Sequence, residues 1–356
     1  MLKKTIVFLF LGIFFNAVFA QSGVFLSLWP NKKTGPFMSV QMTGSAFKSP
    51  VKIRFDTAAS TLIVPEGCVN QASVRVIVPH TKDEWGNPAA LVSGQVTLTG
   101  KDGTLYTVND LPFFMVLGKR CNSGFKNFGA DMDVYFPSGT TSCAGNFFSY
   151  YNYPKGMSAG YTVNAHNMVA TGKALLKIGV IAPGNYQYQL PYRSMTTCIN
   201  NRPMPMCTGY QHWGSSIPNV NLEIDSVKIP QYEAMIDTGG GMVIIRDTPQ
   251  ATYTRGLGAV LTKCPSDYSF LENCKCLPAG HSIGVSVNNI HYHYVTSDID
   301  VTQTSAVAIC PNSTYNNPDS TNSYVFSYGV NLGFNFFNYN RTVSYNMQTC
   351  TIKVSY

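Results

Sequence analysis

Two short segments of this chain are near copies of each other. Phe55-Asp56-Thr57-Ala58-Ala59-Ser60 leads into Thr61-Leu62-Ile63-Val64-Pro65, and Ile236-Asp237-Thr238-Gly239-Gly240-Gly241 leads into Met242-Val243-Ile244-Ile245. Each reads as an apolar residue, Asp-Thr, three small residues and an apolar run, and the two aspartates stand 181 residues apart. A single Asp-Thr carries no information in a chain of 356 residues. Two in matching frames, one per half, imply a duplicated domain that contributes one carboxylate per copy. Duplication can bring both aspartates to a pseudo-twofold axis, where a pair sharing one proton can activate water and protonate a leaving group. The plainer reading, two turn aspartates beside small residues, leaves the matched frames unexplained.

The chain opens with Met1-Leu2-Lys3-Lys4, an apolar run over residues 5–15, and Ala17-Val18-Phe19-Ala20 before Gln21. That is the pattern of a secretory signal peptide, residues 1–20, cut after Ala20. The run is short for a membrane span, and no later stretch reaches the length of one. The remaining chain suits two domains. A break in composition near residues 183–218, rich in Pro, Tyr and Asn, sets them at 21–190 and 191–356. Charged residues make up 12% and aromatics 13%, the balance of a β-rich exported protein. Net charge is +7, two units of which leave with Lys3 and Lys4, and no basic run is longer than Lys32-Lys33. Nucleic acid is therefore not an expected partner.

Ten cysteines follow the signal, an even count that argues for disulfides in an oxidising compartment. Proximity suggests Cys198 with Cys207, and Cys274 or Cys276 with Cys310. Cys274-x-Cys276 could instead ligate a metal alongside His291 and His293, but no second cluster completes a four-ligand site. No metal and no other cofactor is expected. Most of the chain alternates in short β-like runs, as at residues 51–55, 74–78, 95–99, 222–229, 241–245 and 342–346. Lys101-Asp102-Gly103-Thr104 reads as a hairpin turn. Residues 249–257 read as one short helix, and residues 121–155 as long loops.

At the two Asp-Thr frames the chain resembles the pepsin-like aspartic proteases. That family carries Phe-Asp-Thr-Gly-Ser-Ser before an apolar run ending in Val-Pro, and Leu62-Ile63-Val64-Pro65 keeps this frame. Ile236-Asp237-Thr238-Gly239 matches the second copy outright. Each lobe of the family also returns an apolar-apolar-Gly strand past the active-site loop. Asn331-Leu332-Gly333-Phe334 fits well, and Met157-Ser158-Ala159-Gly160-Tyr161 loosely. The resemblance spans nearly all of the chain after the signal. It implies an all-β, bilobal pepsin-like fold with the cleft between two pseudo-twofold-related lobes. It also implies an exported aspartic endopeptidase, secreted or periplasmic, acting as a monomer on peptide or protein substrates. Asp56 and Asp237 would be the catalytic pair. Thr57, Ala58, Thr238 and Gly239 would support their loops, and Ile63 and Val243 would line the cleft. Residues 21–55 leave no room for the basic propeptide of many relatives.

Three departures stand against this expectation. Ala58 replaces the motif glycine, which matters if that backbone needs positive φ. Ala59 and Gly240 replace the hydroxyl residues that bond the outer carboxylate oxygens, so any activity is expected to peak at mildly acidic pH. Retroviral proteases, which share the fold, also carry Ala at that place. The flap tyrosine is absent, leaving Trp85-Gly86 as the flap candidate; an exposed turn is the plain alternative for it. A catalytically inactive pepsin fold that binds protein, peptide or glycan is the runner-up reading. A β-rich adhesin fits composition alone. Asn312-Ser313-Thr314 and Asn340-Arg341-Thr342 are glycosylation sequons, meaningful in a eukaryotic secretory route.

Overall fold

Runs rich in Val, Ile, Thr, Tyr and Phe, broken every few residues by Gly, Asn or Asp, form strands because branched and aromatic side chains fit a pleated surface. The computed structural model describes residues 23–29, 36–59, 61–83, 86–124, 126–130, 146–152, 155–156, 160–184, 186–189, 193–195, 210–212, 216–240, 242–247, 260–264, 274–287, 290–296, 306–311, 330–339, 342–346, 349 and 351–355. The signal segment, Trp85, Cys198, Cys207, the expected helix at 249–257 and the first sequon lie outside these residues, as do Asn340 and Arg341.

The first half contains β1 (Val24–Trp29), β2 (Phe37–Thr43), β3 (Val51–Asp56), β4 (Leu62–Pro65), β5 (Val74–Lys82), β6 (Pro88–Thr99), β7 (Leu105–Val116), β8 (Asn127–Gly129), β9 (Gly160–Asn164) and β10 (Lys173–Ile178). Next come β11 (Tyr186–Gln189), β12 (Arg193–Met195), β13 (Tyr210–His212), β14 (Ser216–Ile224), β15 (Val227–Met235), β16 (Val243–Asp247), β17 (Thr262–Lys263) and β18 (Lys275–Leu277). The remainder are β19 (Ser282–Val287), β20 (Ile290–Val295), β21 (Val307–Pro311), β22 (Val330–Asn331), β23 (Thr342–Asn346) and β24 (Thr351–Ser355). Among the described residues three short α-helices accompany them: α1 (Phe147–Asn152), α2 (Met168–Thr171) and α3 (Asn335–Tyr339). No helix among the described residues is long and apolar enough to cross a membrane.

Thirteen strands form one sheet in the order β11-β24-β23-β9-β10-β1-β2-β3-β8-β4-β7-β6-β5. Nine form another in the order β17-β18-β21-β16-β22-β15-β14-β19-β20. The same weave occurs in both halves. β3 runs parallel to β8, β8 antiparallel to β4, and β4 parallel to β7. Likewise β15 runs parallel to β22, β22 antiparallel to β16, and β16 parallel to β21. The first-half return strand is therefore β8, with Phe128-Gly129-Ala130, and not the segment at 157–161, whose described part opens β9. Residues 121–155 accordingly contain β8 and α1 as well as loops.

The predicted turn at 101–104 joins β6 to β7, closed by Gly100 N–H to Thr104 O at 2.7 Å and Thr104 N–H to Asp102 Oδ1 at 3.0 Å. The apolar stretch at 222–229 is not one strand. Asp225 and Ser226 adopt φ of 47° and 70° and turn β14 back into β15. Two consecutive left-handed residues give the twist that a two-residue hairpin loop requires.

Three disulfides are described: Cys68–Cys121, Cys264–Cys276 and Cys274–Cys310. Cys310 thus takes the first of its two expected partners, and Cys276 pairs back to Cys264. With both sulfurs of Cys-x-Cys oxidised, that motif holds no thiolate for a metal. The backbone of His291 and His293 lies on β20.

Strand pairing joins the halves. β9 pairs with β23, setting Thr162 opposite Ser344 and Tyr161 opposite Tyr345. The hydroxyls of Thr162 and Ser344 bond at 2.8 Å, and the rings of Tyr161 and Tyr345 stack with centroids 4.7 Å apart. Behind β3 lies an aromatic core in which Phe55 packs on Phe128, Phe148 and Tyr161. The Tyr161 hydroxyl donates to Ala130 O at 2.6 Å, satisfying the only polar atom of its side chain.

Candidate functional site between the lobes

Both Asp-Thr segments leave a strand and enter a tight loop, and the structure brings the two loops together. Asp56 ends β3, and Ala130 N–H donates to its carbonyl at 2.8 Å. Asp237 follows β15 by two residues, and Phe334 N–H holds the loop through Gly240 O at 2.8 Å. Gly333 makes this approach possible. Its φ is 57°, and a Cβ there would lie 2.6 Å from Met242 O.

The threonines bind the loops to each other in a reciprocal pattern. Thr57 N–H donates to Thr238 Oγ1 at 3.0 Å, and Thr238 N–H donates to Thr57 Oγ1 at 3.1 Å. Each hydroxyl then donates onward, Thr57 to Ile236 O at 2.8 Å and Thr238 to Phe55 O at 2.7 Å. Both threonines are fully buried, so all four polar groups find partners where water cannot reach.

The carboxylates are oriented by backbone amides two residues on. Ala58 N–H reaches Asp56 Oδ1 at 2.9 Å, and Gly239 N–H reaches Asp237 Oδ1 at 2.7 Å. Ala58 does not require positive φ. Among the described residues only Asn167, Asp225 and Ser226 adopt it without being glycine. The equivalent place in the second loop tolerates nothing larger than Gly, because a Cβ on Gly239 would overlap the Asp56 carboxylate. The two loops are thus equivalent in hydrogen bonding but not in packing. Asp56 is almost wholly buried, while Asp237 is partly open.

One residue at the site went unnoticed in the sequence. Arg54 Nη2 lies 3.2 Å from Asp56 Oδ2, the oxygen that Ala58 does not bind. Its Nε donates to Asn127 Oδ1 at 2.8 Å, and Nη1 stands 3.5 Å from Gly239 O. The signal was the strand's own period of two. Ile53 and Phe55 face the core, so Lys52, Arg54 and Asp56 share the opposite face. Asn127 faces Arg54 across the β3–β8 pairing and is fully buried.

Two residues expected to line the cleft do not. Ile63 is fully buried with Ala89, Leu91, Phe114 and Val116, and Val243 lies in the main core. Each follows its loop on a strand covered on both faces, which takes apolar residues continuously instead of alternately. Gly86, from the flap candidate, sits at the tip of the β5–β6 hairpin with φ of 85°. Asp83 closes that tip, accepting Asn87 N–H at 2.7 Å and Asn87 Nδ2 at 2.9 Å. Among the described residues no group of three or more His, Cys, Asp or Glu could hold a metal ion.

No family model matches the sequence, and no curated protein matches it. Solved structures do match. Basic 7S globulin from soybean is 11% identical with a TM-score of 0.55, over 94% of this chain and 95% of that one. Edgp is 9% identical with a TM-score of 0.58, over the same shares of 94% and 95%. At such identities the likeness is one of fold, and it runs the length of both chains. The repeated weave and the braced Asp-Thr loops show what that fold is: an all-β, bilobal, pepsin-like one.

Proposed function

We propose that this chain is an exported pepsin-fold protein that holds a peptide, protein or glycan between its lobes without hydrolysing it. The observation that carries this reading is the guanidinium on Asp56. Hydrolysis by an aspartate pair needs one proton shared between two carboxylates, so that one activates water while the other polarises the carbonyl. Arg54 places a permanent positive charge 3.2 Å from one member of the pair. Ala59 and Gly240 supply no hydroxyl to either carboxylate, which also weakens the hydrolytic set. Disulfides support an oxidising, secreted or periplasmic setting. The ligand partner, the monomeric state and removal of residues 1–20 belong to the same proposal.

The test is cleavage of a diverse peptide library from pH 2 to 7, with and without pepstatin. This reading expects no pepstatin-sensitive product at any pH. The second reading, an aspartic endopeptidase with Asp56 and Asp237 as its catalytic pair, is favoured by the intact threonine brace. In it Trp85 and Gly86 would cover the substrate. Pepstatin-sensitive cleavage that disappears in Asp237→Asn would select it over the first.

A further inference from the structure

Resting on the non-hydrolytic reading, we infer that Arg54 is the residue that silences the aspartate pair, and that a latent peptide hydrolase lies beneath it. Arg54 is held, not merely near. Asn127 Oδ1 takes its Nε at 2.8 Å and fixes the plane of the guanidinium. That plane delivers Nη2 to Asp56 Oδ2 at 3.2 Å. Ala58 N–H already occupies Oδ1 at 2.9 Å, so both oxygens of Asp56 are held by donors. Nη1 extends toward Gly239 O in the opposite loop at 3.5 Å. One side chain therefore ties a candidate carboxylate to its neighbouring strand and to the other lobe.

What remains beneath is the two carboxylates with their amide partners and the threonine brace. In hydrolysis the water oxygen would bond to the peptide carbonyl carbon and pass a proton to a charged carboxylate. The C–N bond would then break with its electron pair on nitrogen, which takes a proton from the neutral carboxyl. Both steps depend on a pair that keeps one proton because two like charges repel at close range. A guanidinium fixed 3.2 Å from Asp56 Oδ2 occupies the carboxylate that either step would use. The loops themselves are already braced and their amides already aimed, so loss of Arg54 leaves little else to build.

The experiment compares the wild-type chain with Arg54→Gln and Arg54→Met, each alone and combined with Asp237→Asn. Pepstatin binding is read by calorimetry and cleavage of a mixed peptide pool is followed from pH 3 to 7. Arg54→Gln keeps a neutral amide for Asn127, so it decides the matter if Arg54→Met folds poorly. The expected result is at least a roughly tenfold gain in pepstatin affinity in the Gln variant, with slow cleavage that Asp237→Asn abolishes. Variants that melt like the wild type and gain neither would overturn the role of Arg54 while leaving the non-hydrolytic reading in place. Cleavage by the wild type would remove that reading instead. The role of Arg54 would then stand only if Arg54→Gln cleaves about tenfold faster or more. Arg54→Lys, which keeps the charge without the fork, is expected to stay silent, and cleavage by it would count against the inference.

Discussion

At the scale of single residues, the site depends on small groups placed where nothing else fits. Removing the Thr238 hydroxyl strips Thr57 N–H of its acceptor and Phe55 O of a donor, both in a buried setting. Thr238→Val is therefore expected to lower stability by about 2–6 kcal/mol, two unsatisfied buried groups at the usual cost, measured by urea denaturation. Gly239→Ala pushes a methyl group into the Asp56 carboxylate. It should cost about 1–3 kcal/mol, as overpacking does, whereas Ala58→Gly should change stability little. Equal effects at positions 58 and 239 would contradict the packing asymmetry of the two loops. The Asp-Thr frames were legible in the sequence because they repeat, whereas the threonine pairing was implied only by the family resemblance. Arg54 was not legible, because its role depends on Asn127, 73 residues away and brought alongside only by the β3–β8 pairing. Ile63 and Val243 misled for a related reason. Apolar residues after a catalytic-type loop read equally well as cleft lining or as core, and only strand neighbours decide.

At the scale of elements, turns and disulfides carry separable predictions. Ser226, at φ of 70° in the β14–β15 turn, occupies a conformation suited to glycine. Ser226→Gly should raise stability by up to about 1 kcal/mol, read as a higher thermal midpoint. Asp225 beside it accepts a hydrogen bond from His281 and another from Ser282 N–H at 2.8 Å. The His281 bond, more than the opposing burial, holds the Asp225 carboxyl below its ordinary value. A depressed carboxyl stabilises the folded state above its unfolded value of about 3.9, and that contribution fades as pH falls through the lower folded value. His281→Ala should move the Asp225 titration upward, visible in its carboxyl carbon shift by NMR. The Cys274–Cys310 bridge spans 36 residues. Replacing both cysteines with alanine should cost about 4 kcal/mol on loop entropy, and the Cys264–Cys276 pair, spanning 12 residues, about 3 kcal/mol. Strand existence was easy to read from alternation and turn residues. Strand ends were harder, as at 222–229, where Asp225-Ser226 lacks the glycine that usually announces such a turn.

At the scale of the whole molecule, two copies of one weave lie in separate sheets, and the pairing of β9 with β23 joins the halves. Thr57 and Thr238 meet at 181 residues' separation, and Thr162 and Ser344 at 182. Two well-separated contacts with nearly one offset are the mark of an axis. Duplication was legible for that reason, but the seam was not, since β9 and β23 carry no motif of their own. Deleting residues 351–356 removes β24, with Ile352 and Val354 fully buried, and exposes β23 on one side. The shortened chain is expected to lose cooperative unfolding in both lobes, measured by calorimetry. A single transition of unchanged midpoint would mean the seam contributes nothing.

That seam also sets an order in time. β9 ends at Asn164, but its partner β23 begins at Thr342, 178 residues later. At a synthesis rate of about 5–20 residues per second, the β9 edge waits roughly 9–36 s for its neighbour to be made. Through that interval the growing chain carries an open strand edge ending in buried-type residues such as Tyr161 and Val163, the kind of edge that pairs with other chains. Production of this protein is therefore expected to reward slow initiation and sparse loading of ribosomes on the message, so that few half-made copies meet while the seam is still open.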